Sequence, residues 1–154
     1  MRVLEDFNVG NVLPLDSYLM TQTEIIEFAS RYDPQPFHTD IEHSRTRALG
    51  GLLASGWHTT SVYMRLAVDA YMSDTAVLTS PGVQDLRWLH PVRAGDTLSG
   101  NVTVVSVRVS QSKPDRGILE TQGLLWNQHE QTVLSLTAKA FVKTREGLLL
   151  DAAP

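Results

Sequence analysis

The sequence has no cysteine. This excludes disulfide scaffolds, thiolate zinc sites, iron–sulfur clusters and cysteine nucleophiles. No apolar run approaches the roughly 18 residues that a membrane helix needs, so no membrane partner is expected. The first ten residues, MRVLEDFNVG, carry Glu5 and Asp6 and lack an apolar stretch. They do not read as a secretory signal, and a cytoplasmic protein is expected. Positive charge is scarce as well: 13 Lys and Arg against 17 Asp and Glu leave a net charge of −4. No nucleic-acid partner is expected, although a local basic pocket stays open. GxGxxG, GxxxxGK[ST] and GxSxG are all missing, which removes the phosphate-cradling loops and the nucleophile elbow.

What is present is the composition of a folded globule, 42% hydrophobic and 19% charged. A length of 154 residues predicts one domain spanning 1–154. Before about residue 75 the patterns are helical, and after it they are mostly strands, which argues for α+β. Residues 16–20 read as a short strand. Thr21 and Glu24 read as a capping box for a two-turn helix carrying Ile25, Ile26, Phe28 and Ala29. Pro34 bars helix at Asp33, so residues 33–38 read as a stiff non-helical loop. Residues 40–47 suggest another short helix, broken at Gly50-Gly51.

Residues 57–72 contain neither Gly nor Pro and are apolar almost all round, with Arg65 and Asp69 as an i,i+4 pair. That predicts a buried helix on the order of 24 Å long. Strands follow over 76–79, 83–89, 97–110, 118–127 and 133–143, with Pro114 and Gly117 at a hairpin tip. Long antiparallel strands and one buried helix predict a hot-dog fold, a sheet wrapped around a central helix.

Two clusters bear chemistry. Asp33 and His38 stand five residues apart in the Pro-stiffened loop, a suitable acid–base pair. The bland alternative is a turn-capping Asp and a packed His. Ser55-Gly56-Trp57-His58 opens the long helix, where free N–H groups and partial positive charge can hold a carbonyl oxygen. Gly56 would let that oxygen approach the backbone closely. Here the bland alternative is Ser55 as a simple N-cap. A metal site from His38, Asp40 and His43 competes for the first cluster but lacks helical ligand spacing, and no metal is expected. His58 reads as a satisfied core histidine, and Trp57, Trp88 and Trp126 as core or interface aromatics.

Asp33-Pro34-Gln35-Pro36-Phe37-His38 resembles the D-x-N-P-x-H loop of the MaoC-like dehydratases, the (R)-specific enoyl-CoA hydratases. Residues 50–59, GGLLASGWHT, look like the segment opening that family's central helix, and residues 89–98, LHPVRAGDTL, are similar to its PV-x-x-GD-x-L turn. The resemblance implies a hot-dog homodimer, or a higher homo-oligomer. It implies reversible addition of water across the 2,3 double bond of a 2-enoyl thioester, with Asp33 and His38 activating the water and Gly56 N–H polarising the thioester carbonyl. Gln35, Phe37, Ser55 and Trp57 flank these groups and are the expected substrate-binding residues. No cofactor is implied, since coenzyme A or an acyl-carrier arm belongs to the substrate. Arg45, Arg47, Arg116 and Lys143 are the candidates for its phosphates, weighed against solvated surface. Two positions depart from the family pattern: Gln35 stands for Asn, and Ser55 for the His that precedes the glycine in better-known members. Two alternatives are carried forward, a hot-dog acyl-CoA thioesterase and a non-catalytic acyl-binding module.

Overall fold

The structure, a computed structural model, describes residues 1–151. After a single 3-10 turn at Leu4–Asp6, the elements are β1 (Val12–Leu19), α1 (Gln22–Tyr32), α2 (Pro36–Thr39), α3 (Ser44–Ala48), α4 (Gly56–Ala67), β2 (Val77–Trp88), β3 (Thr97–Val109), β4 (Arg116–Trp126), β5 (Thr132–Lys143) and α5 (Arg145–Asp151). The five strands form one antiparallel sheet in the order β1-β3-β4-β5-β2. The α4 helix lies on its inner face and runs on through a π-helical turn at Val68–Met72. This is the hot-dog arrangement.

Alternation builds the core. Leu98, Val102 and Val104 of β3 turn inward, as do Leu119 and Leu125 of β4 and Leu134 and Leu136 of β5, while Val133 is buried at a break in register. They pack on Val62, Tyr63, Leu66 and Ala67 of α4. Gly123 on β4 makes that approach close: a Cβ there would lie 2.3 Å from the Tyr63 hydroxyl.

Several elements differ from the sequence expectation, each for a local reason. The first strand begins earlier, at Val12, because Pro14 is tolerated on an edge strand. The stretch at 33–38 is not wholly non-helical. Pro36 takes the first position of a one-turn helix, where its missing N–H costs nothing. The helix expected over 40–47 starts only at Ser44. Asp40 Oδ1 instead accepts from Glu42 N–H, and His43 Nδ1 caps Arg45 N–H. The strands expected over 76–79 and 83–89 are one bulged edge strand, β2, running through Ser80-Pro81-Gly82. The α5 helix was not expected at all.

The central helix is also less enclosed than its composition suggests. Trp57, Ser61, Met64 and Arg65 line an exposed face, and Arg65 pairs with Asp69 at 2.7 Å. No helix among the described residues is long and apolar enough to cross a membrane.

Candidate active site

Thr21 starts α1 by accepting from Glu24 N–H. The reciprocal half of the expected capping box is replaced by the Thr21 hydroxyl donating to Glu24 Oε2. The helix ends at Asp33, whose N–H still donates to Ala29 O. Pro34 stops further turns, and the Asp33 side chain leaves the helix axis. Five residues later His38 lies in α2, only 7% exposed. Its Nδ1 is 2.7 Å from Leu53 O. A carbonyl only accepts, so Nδ1 donates to it and Nε2 is the ring nitrogen left for proton exchange. That Nε2 lies 3.3 Å from Asp33 Oδ2. Phe37 meets the His38 ring edge-on at 4.4 Å between centroids and bonds Leu53 N–H through its carbonyl.

Asp33 is held from two further sides. Gln35 Nε2–H donates to Oδ1 at 2.8 Å, and the Ser55 hydroxyl donates to Oδ2 at 2.7 Å. Burial pushes the carboxyl up, but the Gln35 and Ser55 bonds and the His38 ring outweigh it and hold Asp33 below the usual carboxylate value. It is therefore a carboxylate at neutral pH.

Ser55 is the N-cap of α4, accepting from Trp57 N–H at 3.2 Å. The Gly56 N–H at the first helical position has no acceptor among the described residues. The glycine itself has a different explanation from the expected one. A Cβ at Gly56 would meet the Trp88 ring at 2.3–2.8 Å, so the indole occupies the space that any side chain would need. Trp88 Nε1–H donates to Thr60 Oγ1, whose hydroxyl donates to Gly56 O. Trp57 stands edge-on to Trp88 at 5.2 Å. The two indoles are 56% and 46% exposed, so neither is a core residue of this chain.

The fold thus gathers Asp33, Gln35, Phe37, His38, Ser55 and Gly56, with Trp57 beside them. Ser55 was expected to touch substrate. It is fully buried, and its hydroxyl is committed to Asp33 and Trp57 N–H. A groove of about 420 Å³ lined by Phe28, Tyr32, Trp57 and Ser61 opens beside the cluster. The set His38, Asp40 and His43 is not assembled as metal ligands: His43 and Asp40 serve local caps. Arg116 and Lys143 face each other in register at one end of the sheet, while Trp88 beside Gly56 pairs with Leu134. Nine residues of β5 separate the two places, about 30 Å. Arg45 and Arg47 on α3 are nearer in the chain to His38.

Two groups carry more than the sequence suggested. His58 is buried and stacked on Phe28 at 4.7 Å, yet its Nδ1 has no partner among the described residues, so it is not a satisfied core histidine. Burial lowers its pKa against the pull of Glu24. Arg93 binds Leu49 O and Gly51 O through its guanidinium, and Val92 O accepts from Ala54 N–H. Those bonds tie the 91–96 turn to the segment entering α4. Nothing in the sequence singles out Arg93, because its partners lie more than 40 residues away in the chain.

A hot-dog domain with an Asp–His pair set against the start of its central helix defines the class. The chain belongs to the MaoC-like domain family, whose model matches residues 9–122. A MaoC-like dehydratase from Rhodospirillum rubrum is 38% identical, with 94% of this chain and 99% of that one covered and a TM-score of 0.85. The protein YdeM of Bacillus subtilis is 26% identical over 141 residues, covering 91% of this chain and 98% of YdeM. An R-hydratase from Pseudomonas aeruginosa shares the fold, with a TM-score of 0.72 at 20% identity, covering 93% of this chain and 86% of that one.

Proposed function

We propose that this protein adds water reversibly across the 2,3 double bond of a 2-enoyl thioester. The observation that carries the reading is the Asp33–His38 pair, with Nε2 3.3 Å from Oδ2 and the ring's other nitrogen committed to Leu53 O. With Nδ1 committed as a donor, Nε2 is the ring nitrogen that can take a proton, and the Asp33 carboxylate lies directly beside it.

The thioester oxygen accepts from Gly56 N–H at the positive end of α4, which makes Cβ electrophilic. As the water oxygen bonds to Cβ, its proton passes to His38 Nε2 and the π electrons move onto the oxygen as an enolate. His38 hands the proton to Asp33 Oδ2. The enolate collapses, and Cα takes that proton from Asp33. One water is consumed, and both side chains return to their starting states. Dehydration is the reverse.

Coenzyme A or an acyl-carrier arm is the handle of the substrate, and Arg45 and Arg47 are its candidate phosphate partners. The working unit is a homodimer. Leu78, Val83 and Trp88 on the edge strand β2 and Trp57 and Met64 on α4 leave apolar surface for a second copy. The test is a panel of 2-enoyl- and 3-hydroxyacyl-CoA thioesters followed by enoyl absorbance, with a thiol dye alongside. Loss of absorbance without thiol release is expected. Thiol release identifies a thioesterase, and binding without either change identifies a non-catalytic module.

A further inference from the structure

We infer that Ser55 is a positioning residue whose single hydroxyl locks the Asp33 carboxylate to the start of α4. The inference rests on the proposed hydration chemistry for its consequence, but its geometry stands apart from it. Ser55 is 0% exposed, so its hydroxyl reaches neither solvent nor substrate. Its proton goes to Asp33 Oδ2 at 2.7 Å, and its lone pair takes Trp57 N–H at 3.2 Å. The oxygen it holds is the one that faces His38 Nε2 at 3.3 Å. The other Asp33 oxygen is held separately by Gln35. One hydroxyl therefore connects two parts of the site separated by 22 residues of chain. It fixes Oδ2 against the imidazole and fixes both to the helix turn that presents Gly56 N–H.

A serine that only capped the helix would have no need of the carboxylate. N-capping uses the hydroxyl oxygen as acceptor and makes no demand on its proton. Here the donor is spent on the group that must keep one orientation while a proton crosses to it. Losing it removes one of the two partners of Oδ2, leaving the His38 ring there and Gln35 on Oδ1, and lets Asp33 turn more freely about its own side chain. Such a loss acts on the chemical step more than on substrate affinity.

The test compares Ser55→Ala with Ser55→Thr, which keeps a hydroxyl, and Ser55→Cys, which keeps the size with a weak donor. Carbon-13 NMR of the Asp33 carboxyl is titrated in the free protein, and kcat and KM are measured on the enoyl thioester that wild type turns over. For Ser55→Ala the Asp33 midpoint should move to higher pH, and kcat should fall about 10- to 100-fold with KM within about twofold. Ser55→Thr should restore most of kcat and the wild-type midpoint, and Ser55→Cys should lie between. An Asp33 midpoint that does not move in Ser55→Ala overturns the inference, even if the helix is destabilised, because it leaves capping as the whole role. An unchanged kcat overturns it too. If wild type turns over no enoyl thioester, the hydratase reading fails by itself, and the carboxyl titration still decides the Ser55–Asp33 link. Should Ser55→Thr not fold, the Ala and Cys titrations carry the decision.

Discussion

Replacing Gly56 by alanine adds one carbon where the Trp88 indole already lies. The new Cβ would sit 2.3–2.8 Å from three ring atoms, far inside van der Waals contact. No left-handed backbone angle is involved, since Gly56 is absent from the positive-φ glycines. The cost is therefore steric. Overpacking of this kind costs about 1–3 kcal/mol. Trp88 is half exposed and yields before the helix does, which places the steric part low in that range. Its movement also breaks the 3.1 Å bond to Thr60, adding about 0.5–1.5 kcal/mol. The total is about 2–3 kcal/mol, or roughly 4–12 °C in Tm for a chain of this size. Thermal and urea unfolding of Gly56→Ala, Trp88→Leu and the double variant measure it. In the Trp88→Leu background the same Gly56→Ala change should cost less than about 0.5 kcal/mol, giving a coupling of at least about 1.5 kcal/mol. Alanine keeps the backbone N–H, so in that background it should also leave turnover unchanged. Equal cost with and without Trp88 would refute the steric explanation. A lost activity with Trp88 gone would return the glycine to its originally expected role, room for a ligand oxygen.

Other outcomes follow from the same contacts. Burial lowers the pKa of His58, so the unfolded chain binds a proton there before the folded one does. Stability should then fall as pH drops below the ordinary histidine value of 6.5, through the window down to the lowered folded pKa. His58→Phe keeps the stack on Phe28 and removes the unpartnered nitrogen. Its Tm should fall less than that of wild type between pH 7.5 and 5.5, and parallel curves would contradict this. Arg93→Ala removes the guanidinium that holds Leu49 O and Gly51 O. It should speed amide exchange across residues 49–54 with little change in the sheet, and uniform protection would contradict it. Sedimentation should show wild type as a dimer. Val83→Lys on the edge strand should shift it towards monomer, and a monomeric wild type would contradict the proposed interface.

The fold was legible wherever periodicity is long. The strands expected over 97–110, 118–127 and 133–143 are found as β3, β4 and β5 with ends shifted by no more than two residues. Short elements were misjudged where a side chain overrides propensity. Asp40 bonding Glu42 N–H delays α3, and Pro36 starts a turn instead of preventing one. Residues 57–72 looked buried because composition does not say which apolar side chains meet this chain's own sheet. Trp57 meets it edge-on at Trp88, yet Trp57 and Met64 both stay exposed.

The candidate site was legible in its membership and less so in its wiring. Asp33 and His38 stand side by side, and Ser55 brings the start of α4 with Gly56 up to them, the grouping that the resemblance implied. The Ser55 hydroxyl on Asp33 joins positions 22 residues apart, and the Trp88 ring on Gly56 comes from a different strand. Neither pairing leaves a local pattern, because both depend on how the loop, the helix start and β2 meet in space. Arg93 was invisible for the same reason.

In the proposed hydration Asp33 and His38 together move the proton. The rate of enoyl absorbance loss on one 2-enoyl-CoA, for wild type, Asp33→Asn and His38→Ala, tests this, each fold being checked by circular dichroism. Both variants should keep the fold and lose about 10²- to 10⁴-fold in kcat. Variants that fold and retain the wild-type rate would contradict the claim.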